Sequence, residues 1–225
     1  MSLDSYAQQT KVVWKRIGEL PDGTGGAGQH VNLGVAGPFV GVHNNALIVA
    51  GGANFPIPKG HQLWDRQTRK VFYNTIWTAT QGDGEIAGNE RELTWHDTQL
   101  KLPGDRAYGS SASHALGVFV IGGSDGVKGY NDVYLLRWNT VTKQPELYTL
   151  PALPTISVDG GATIIANTLY VMAGSNGKEP SADLYSLDLS LIKTDINGNP
   201  IANNGVIEMS IQPWQQQPSL PQSEG

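Results

Sequence analysis

The chain has 225 residues, with 28 Gly and 13 Pro, 39 % hydrophobic and 16 % charged residues, and 6 Trp, 8 Tyr and 4 Phe. That is too aromatic and too weakly charged for a disordered chain, and its turn formers suit a globular protein of short strands. The net charge of −5 excludes nucleic-acid and anionic-membrane partners, which gain nothing from an acidic surface, and the absence of Cys excludes disulfides, thiolate chemistry and zinc-thiolate sites. No apolar run reaches a membrane span of about 18 residues, and the opening MSLDSYAQQT lacks the apolar stretch of a signal peptide. The expected location is the cytoplasm, or the periplasm or exterior if a signal was removed near Ser5-Tyr6-Ala7.

In chain order, the first element is a strand near Val12 to Ile17, leading from Trp14 to Leu20-Pro21 with no repeat before it. Thereafter the same landmarks recur. A Gly-led segment precedes a hydrophobic run ending in a small pair: Leu47 to Gly51-Gly52, Val118 to Gly122-Gly123, and Leu169 to Ala173-Gly174. An aliphatic-aromatic pair comes after each, Ile76-Trp77, Val133-Tyr134 and Leu184-Tyr185, and then a bulky residue leads to Leu-Pro: Trp95, Leu147 and Trp214. The first unit holds an insertion around Pro56 to Lys70. Hairpin turns are expected at Asn44-Asn45, Ala115-Leu116-Gly117 and Asn167-Thr168, since Asn and Gly tolerate positive φ.

Four strands per unit, marked by a small pair and repeating near every 50 residues, define a kelch-type blade of an all-β propeller. The units span about 35–103, 104–154 and 155–221, and form a single region. Small pairs let neighbouring sheets approach and the chain bend, while the aromatics fill the space between blades. Propellers close with about 4–8 blades. Three blades plus the orphan outer strand at residues 11–20 therefore imply a partial ring, or a homodimer in which two chains complete one.

The run Ala36 to Pro56, with Gly51-Gly52-Ala53-Asn54-Phe55-Pro56 at its end, resembles the opening blade of the cyclically permuted mutarotase family, relatives of the sialic-acid mutarotase/epimerase. Arg106-Ala107-Tyr108-Gly109, Ile121 to Gly126 and Tyr130 to Tyr134 resemble that family's second blade, and the likeness covers about residues 12–190. It implies a bacterial, six-bladed enzyme without cofactor or metal. Its substrate would be a small sugar, sialic acid, or a related keto sugar. The chemistry would be anomer interconversion: a base takes the anomeric hydroxyl proton, an acid protonates the ring oxygen, and a cation holds the carboxylate.

The site expected for such chemistry is the channel mouth, at the loops after each small pair. Asn54 and Phe55, Ser124 and Asp125, and Ser175 and Asn176 occupy equivalent places there. Their polar groups suit sugar hydroxyls, or equally the turns themselves. Arg106 is the candidate carboxylate clamp and Tyr108 the candidate donor to the ring oxygen. His43 and His114 align with Ile165 and read as packing residues; Glu90, Glu92 and His96 read as surface charge, not a metal set. Asn74 and Asp132 read as turn caps, and Asn197 to Gly205 as an inserted surface loop. A non-catalytic platform for protein or carbohydrate binding is the alternative function. A thioether-tyrosine redox site is closed by the lack of Cys.

Overall fold

The structure, a computed structural model, describes residues 12, 14, 16, 18, 20, 21, 34–56, 69–86, 90–96, 98–209 and 213–219. The first sheet contains β1 (Phe39–His43), β2 (Ala46–Ala50), β5 (Ile76–Ile86) and β6 (Glu90–His96). A ribbon of β3 (Ala53–Asn54) and β4 (Val71–Phe72) leaves it between β2 and β5 and brackets the insertion. The second sheet runs β7 (Ser110–His114), β8 (Gly117–Ile121), β9 (Val133–Asn139), β10 (Gln144–Leu150). The third runs β11 (Gly161–Ile165), β12 (Thr168–Ser175), β13 (Pro180–Asp188), β14 (Trp214–Gln217). Every pairing between neighbouring strands of these sheets is antiparallel. The expected all-β architecture of four-stranded units is present, as three adjacent blades and not a closed ring among the described residues. Residues 11, 13, 15, 17 and 19 of the orphan strand at 11–20 lie outside the described residues.

The hydrophobic runs form strands because both of their faces find apolar partners. In β8, Val118 and Val120 pack with Phe39, Ile48 and Ile76 of the first sheet, while Phe119 and Ile121 pack with Leu169, Val171 and Leu187 of the third. β9 divides the same way, with Tyr134 and Leu136 toward one side and Val133 and Leu135 toward the other. A continuous apolar run suits such a strand, buried on both faces. Trp77, Tyr134, Tyr185 and Trp214 are buried as expected. On the third sheet's far face, Ile165 and Met172 are exposed.

β1, β7 and β11 lie side by side at the inner edge. Ser111 Oγ accepts from Val40 N–H at 3.1 Å and donates to Val40 C=O at 2.9 Å, and Ser113 Oγ accepts from Val42 N–H at 2.9 Å. Two hydroxyls thus satisfy backbone groups that an edge strand leaves open.

The glycine pairs act at the seams. Gly52 N–H donates to Arg106 C=O at 2.8 Å, and Gly123 N–H to Ser157 C=O at 2.8 Å. Each acceptor lies on the loop bringing the chain into the next blade. Gly51 and Gly122 have φ of 65° and 63°, and an added Cβ would run into the same two carbonyls. In the third unit Ala173-Gly174 differs: β12 runs through the pair to Ser175, with a bulge between Met172 and Gly174.

Two local expectations are corrected and a third is extended. The third hairpin turns at Ala166-Asn167, with Ala166 at φ 54°, because Thr168 already pairs with Ile165. Glu90, Glu92 and His96 lie within β6 itself, not around a hairpin before it, since β5 and β6 extend further than their apolar residues suggest. The insert near 197–205 docks on β10: Thr149 N–H donates to Gly205 C=O at 2.8 Å and Ile207 N–H to Thr149 C=O at 2.9 Å, burying Ile207.

His43 is a packing residue. Its Nδ1 accepts Trp138 N–H at 2.9 Å, which leaves Nε2 to donate to Ala115 C=O at 3.2 Å, and burial, then the charge of Arg137, lowers its pKa. Its equivalent Ile165 is exposed because no blade covers that face among the described residues.

Gly122→Ala should cost about 2 kcal/mol or more in urea unfolding, because a left-handed residue gains a Cβ against backbone. Gly104→Ala, whose added Cβ meets nothing closer than 3.9 Å, should stay within about 0.5 kcal/mol.

Candidate functional site

The loops after β2, β8 and β12 and those leading into β1, β7 and β11 gather at one end of the blades. Gly37, Tyr108 and Asp159 hold equivalent places there, all left-handed, with φ of 60°, 61° and 53°. Tyr108 N–H donates to Gly37 C=O at 2.8 Å, and Asp159 N–H to Tyr108 C=O at 2.7 Å. A left-handed Tyr is costly and marks a position fixed by its surroundings.

Most of the side chains expected at the mouth are engaged by their own loops. Ser124 Oγ accepts Gly126 N–H at 3.0 Å, and Asp125 Oδ1 accepts the N–H groups of Val127 and Lys128 at 2.8 Å each. Ser175 Oγ accepts Gly177 N–H at 2.9 Å, and Asn176 Oδ1 accepts Lys178 and Glu179 N–H at 3.0 Å. These are the turn motifs that Ser, Asp and Asn favour. Asn54 donates to Gly34 C=O at 2.9 Å and accepts the Tyr73 hydroxyl at 2.6 Å. Phe55 is 55 % exposed.

Arg106 does not open to solvent. It is 2 % exposed, its guanidinium carbon 4.3 Å from the Tyr130 ring centroid and 5.1 Å from that of Tyr134. Nη1 reaches Asp132 Oδ2 at 3.4 Å, while Nε has no partner. Asp132 thus holds a cation as well as standing in the turn. Because Asp132 is itself 41 % exposed, the pair is half in water and its strength is modest.

Tyr108 instead joins an open cluster. Lys70 Nζ stands 4.1 Å above its ring, and Phe72 meets it edge-on at 6.2 Å. Phe72 also covers Gly126, where an added Cβ would lie 3.0 Å from Phe72 Cζ. The cluster thereby touches the Asp125 turn, whose Oδ2 accepts the Tyr130 hydroxyl at 2.7 Å. Lys128 Nζ lies 4.9 Å from the Tyr130 ring.

Burial, then the bond to Asp125 and its charge, push the Tyr130 phenol up to about 12. The Asp125 carboxyl is lowered, chiefly by the Lys128 backbone N–H and also by Tyr130. At neutral pH the pair is a charged acceptor with a protonated donor. Exposed Lys70 and Lys128 are cations open to an anion within this cluster. Sequence reasoning passed over Lys70, Phe72, Lys128 and Tyr130 as site groups. Their only signal was the mixture of aromatics and lysines flanking the loops, since the ribbon that brings Phe72 to Tyr108 leaves no periodic trace. Among the described residues no group of His, Asp and Glu has the arrangement of a metal site.

Three antiparallel four-stranded blades with their loops collected at one end define a β-propeller-like fragment. Within that class, the chain is similar to N-acetylneuraminate epimerases. It is 34 % identical to that of Vibrio cholerae over 137 residues, covering 57 % of this chain and 31 % of the relative. It is 30 % identical over 135 residues to that of Brucella melitensis, covering 56 % and 30 %, and 29 % over 134 residues to that of Haemophilus influenzae, covering 57 % and 32 %. The chain spans about a third of the length of the curated relatives it matches. No protein-family model matches it.

Two outcomes test this geometry. Arg106→Ala should cost about 2 kcal/mol in urea unfolding, more than a surface Arg, because it empties the space between two tyrosines and unpairs Asp132. In the alkaline range, a phenol whose folded pKa is raised stabilises below its unfolded value near 10 and loses that contribution as pH climbs through about 12. Tyrosinate absorbance of Tyr130→Phe should lack one of the late-titrating phenols, and the alkaline fall in stability should be shallower.

Proposed function

We propose that this chain belongs to the catalytic body of a sugar mutarotase (epimerase) that interconverts the anomers of N-acetylneuraminate or a related keto sugar. The observation that carries the reading is the 34 % identity over 137 residues to the Vibrio cholerae N-acetylneuraminate epimerase. The anomeric hydroxyl gives its proton to a base, the ring C–O bond breaks as the carbonyl forms, and the ring oxygen takes a proton from an acid. Reclosure on the other carbonyl face reverses these transfers and yields the second anomer, with no net gain or loss of protons.

The loop end supplies groups of the required kinds. Asp125 is an ionised acceptor, while Tyr130 and Tyr108 carry donor hydroxyls. Lys70 meets the carboxylate, a task for which buried Arg106 is poorly placed. Arg106 acts instead as a positioning residue, holding Asp132 and the two tyrosine rings in place. The aromatic faces of Tyr108 and Phe72 offer an apolar wall to a sugar ring.

The test releases one pure anomer and follows the sugar proton signals by NMR with and without the chain. Equilibration should outrun buffer. Lys70→Met should slow it about tenfold for the acid sugar, about 1.4 kcal/mol, and far less for a sugar lacking the carboxylate. A rate equal to that of buffer overturns the catalytic reading. It would favour a binding platform, a reading consistent with the way Ser124, Asp125, Ser175 and Asn176 are occupied by their own turns.

A further inference from the structure

The ends of the blades opposite the glycine loops hold a cavity of about 420 Å³. The first blade contributes Asn45 from its inner hairpin and Thr80, Gln81, Thr94 and His96 from its outer strands, and the second blade closes the cavity with Lys143. Its floor includes Trp138, which is 2 % exposed and lies against the His96 ring at 4.7 Å. Thr80 Oγ1 and His96 Nε2 are 2.7 Å apart, so one nitrogen of the imidazole is held by a hydroxyl.

Charge and polarity in this cavity are one-sided. Lys143 and His96 are its basic groups, and among the described residues neither forms an ion pair. The His96 pKa is lowered first by burial and then by the charge of Lys143. The acidic residue nearest to His96 along that face of β6 is Glu92, four positions away, or about 13 Å along a strand. Around the two bases stand hydroxyl and amide groups, which donate and accept as a polyol requires. The size falls within the usual range of small-ligand sites, about 300–1,000 Å³.

We propose that this cavity is a binding site for a small hydroxylated carboxylate of the sugar-acid class, separate from the loop end. The carboxylate sits between Lys143 and His96, and the hydroxyls meet Thr80, Thr94, Asn45 and Gln81. Such a ligand relieves the repulsion between the two bases, so binding and protonation of His96 reinforce each other, and affinity rises as pH falls toward 6.

Glucuronate and glucose, titrated calorimetrically into the whole chain, test the assignment, with the His96 ring protons followed by NMR. Lys143 has φ 55°, so Lys143→Asn removes the charge while keeping a residue that accepts this backbone. Glucuronate should bind saturably and raise the His96 pKa, with glucose much weaker. Lys143→Asn should weaken glucuronate about tenfold, and Lys70→Met at the loop end should leave it unchanged. The site is overturned by the absence of saturable glucuronate binding, by glucose binding as tightly, or by an unaltered affinity in Lys143→Asn. Loss of binding in Lys70→Met would also overturn it, by moving the anion to the other end.

Discussion

One backbone hydrogen bond, repeated, sets the spacing of this molecule: the second glycine of each of the first two pairs gives its N–H to the carbonyl of the loop entering the next blade. The first glycine of each pair must be left-handed and bare for that carbonyl to come so close. Once this contact is made, the strands of adjacent blades lie near enough for Phe39, Ile48 and Ile76 to enclose Val118 and Val120. The same distance brings Ser111 and Ser113 onto the free edge of β1. A side chain at these glycines would therefore disturb the apolar seam and, through the changed spacing, the polar one as well.

The two ends of the blades are organised by different physics. At the loop end, polar side chains are largely committed to shaping their own turns, and the groups left open to a ligand are aromatic rings and lysines. A buried guanidinium between two tyrosines stiffens this end from behind. At the hairpin end, two bases share a polar hollow. The protein as a whole is acidic, so at both ends attraction of an anion depends on local charge at short range.

The blade repeat was legible because its signals are local: a six-residue run of four apolar residues and a small pair, a turn of two asparagines, an aromatic on the next strand. The burial of β8 could be read from its unbroken apolar run. Position 173 was harder, because Ala in place of the first Gly accompanies a strand that continues through the pair, and that continuation depends on the spatial neighbours of β12. The neighbourhood of the loop end was far less legible. Arg106 stands out in the sequence, yet its burial depends on Tyr130, Tyr134 and Asp132 arriving from beyond the next strand. Phe72 and Lys70 reach Tyr108 through a two-residue ribbon that no periodicity announces.

The link from Gly37 through Tyr108 to Asp159 has a directional consequence. In each step the later residue donates and the earlier one accepts, so the links run in one sense from blade to blade. The mouth therefore has a sense of circulation, clockwise distinguishable from anticlockwise, built wholly from main chain. A bulky aromatic ring at position 108 and a carboxylate at 159 are carried by the same run of main-chain links, so weakening either link would loosen groups on two blades at once.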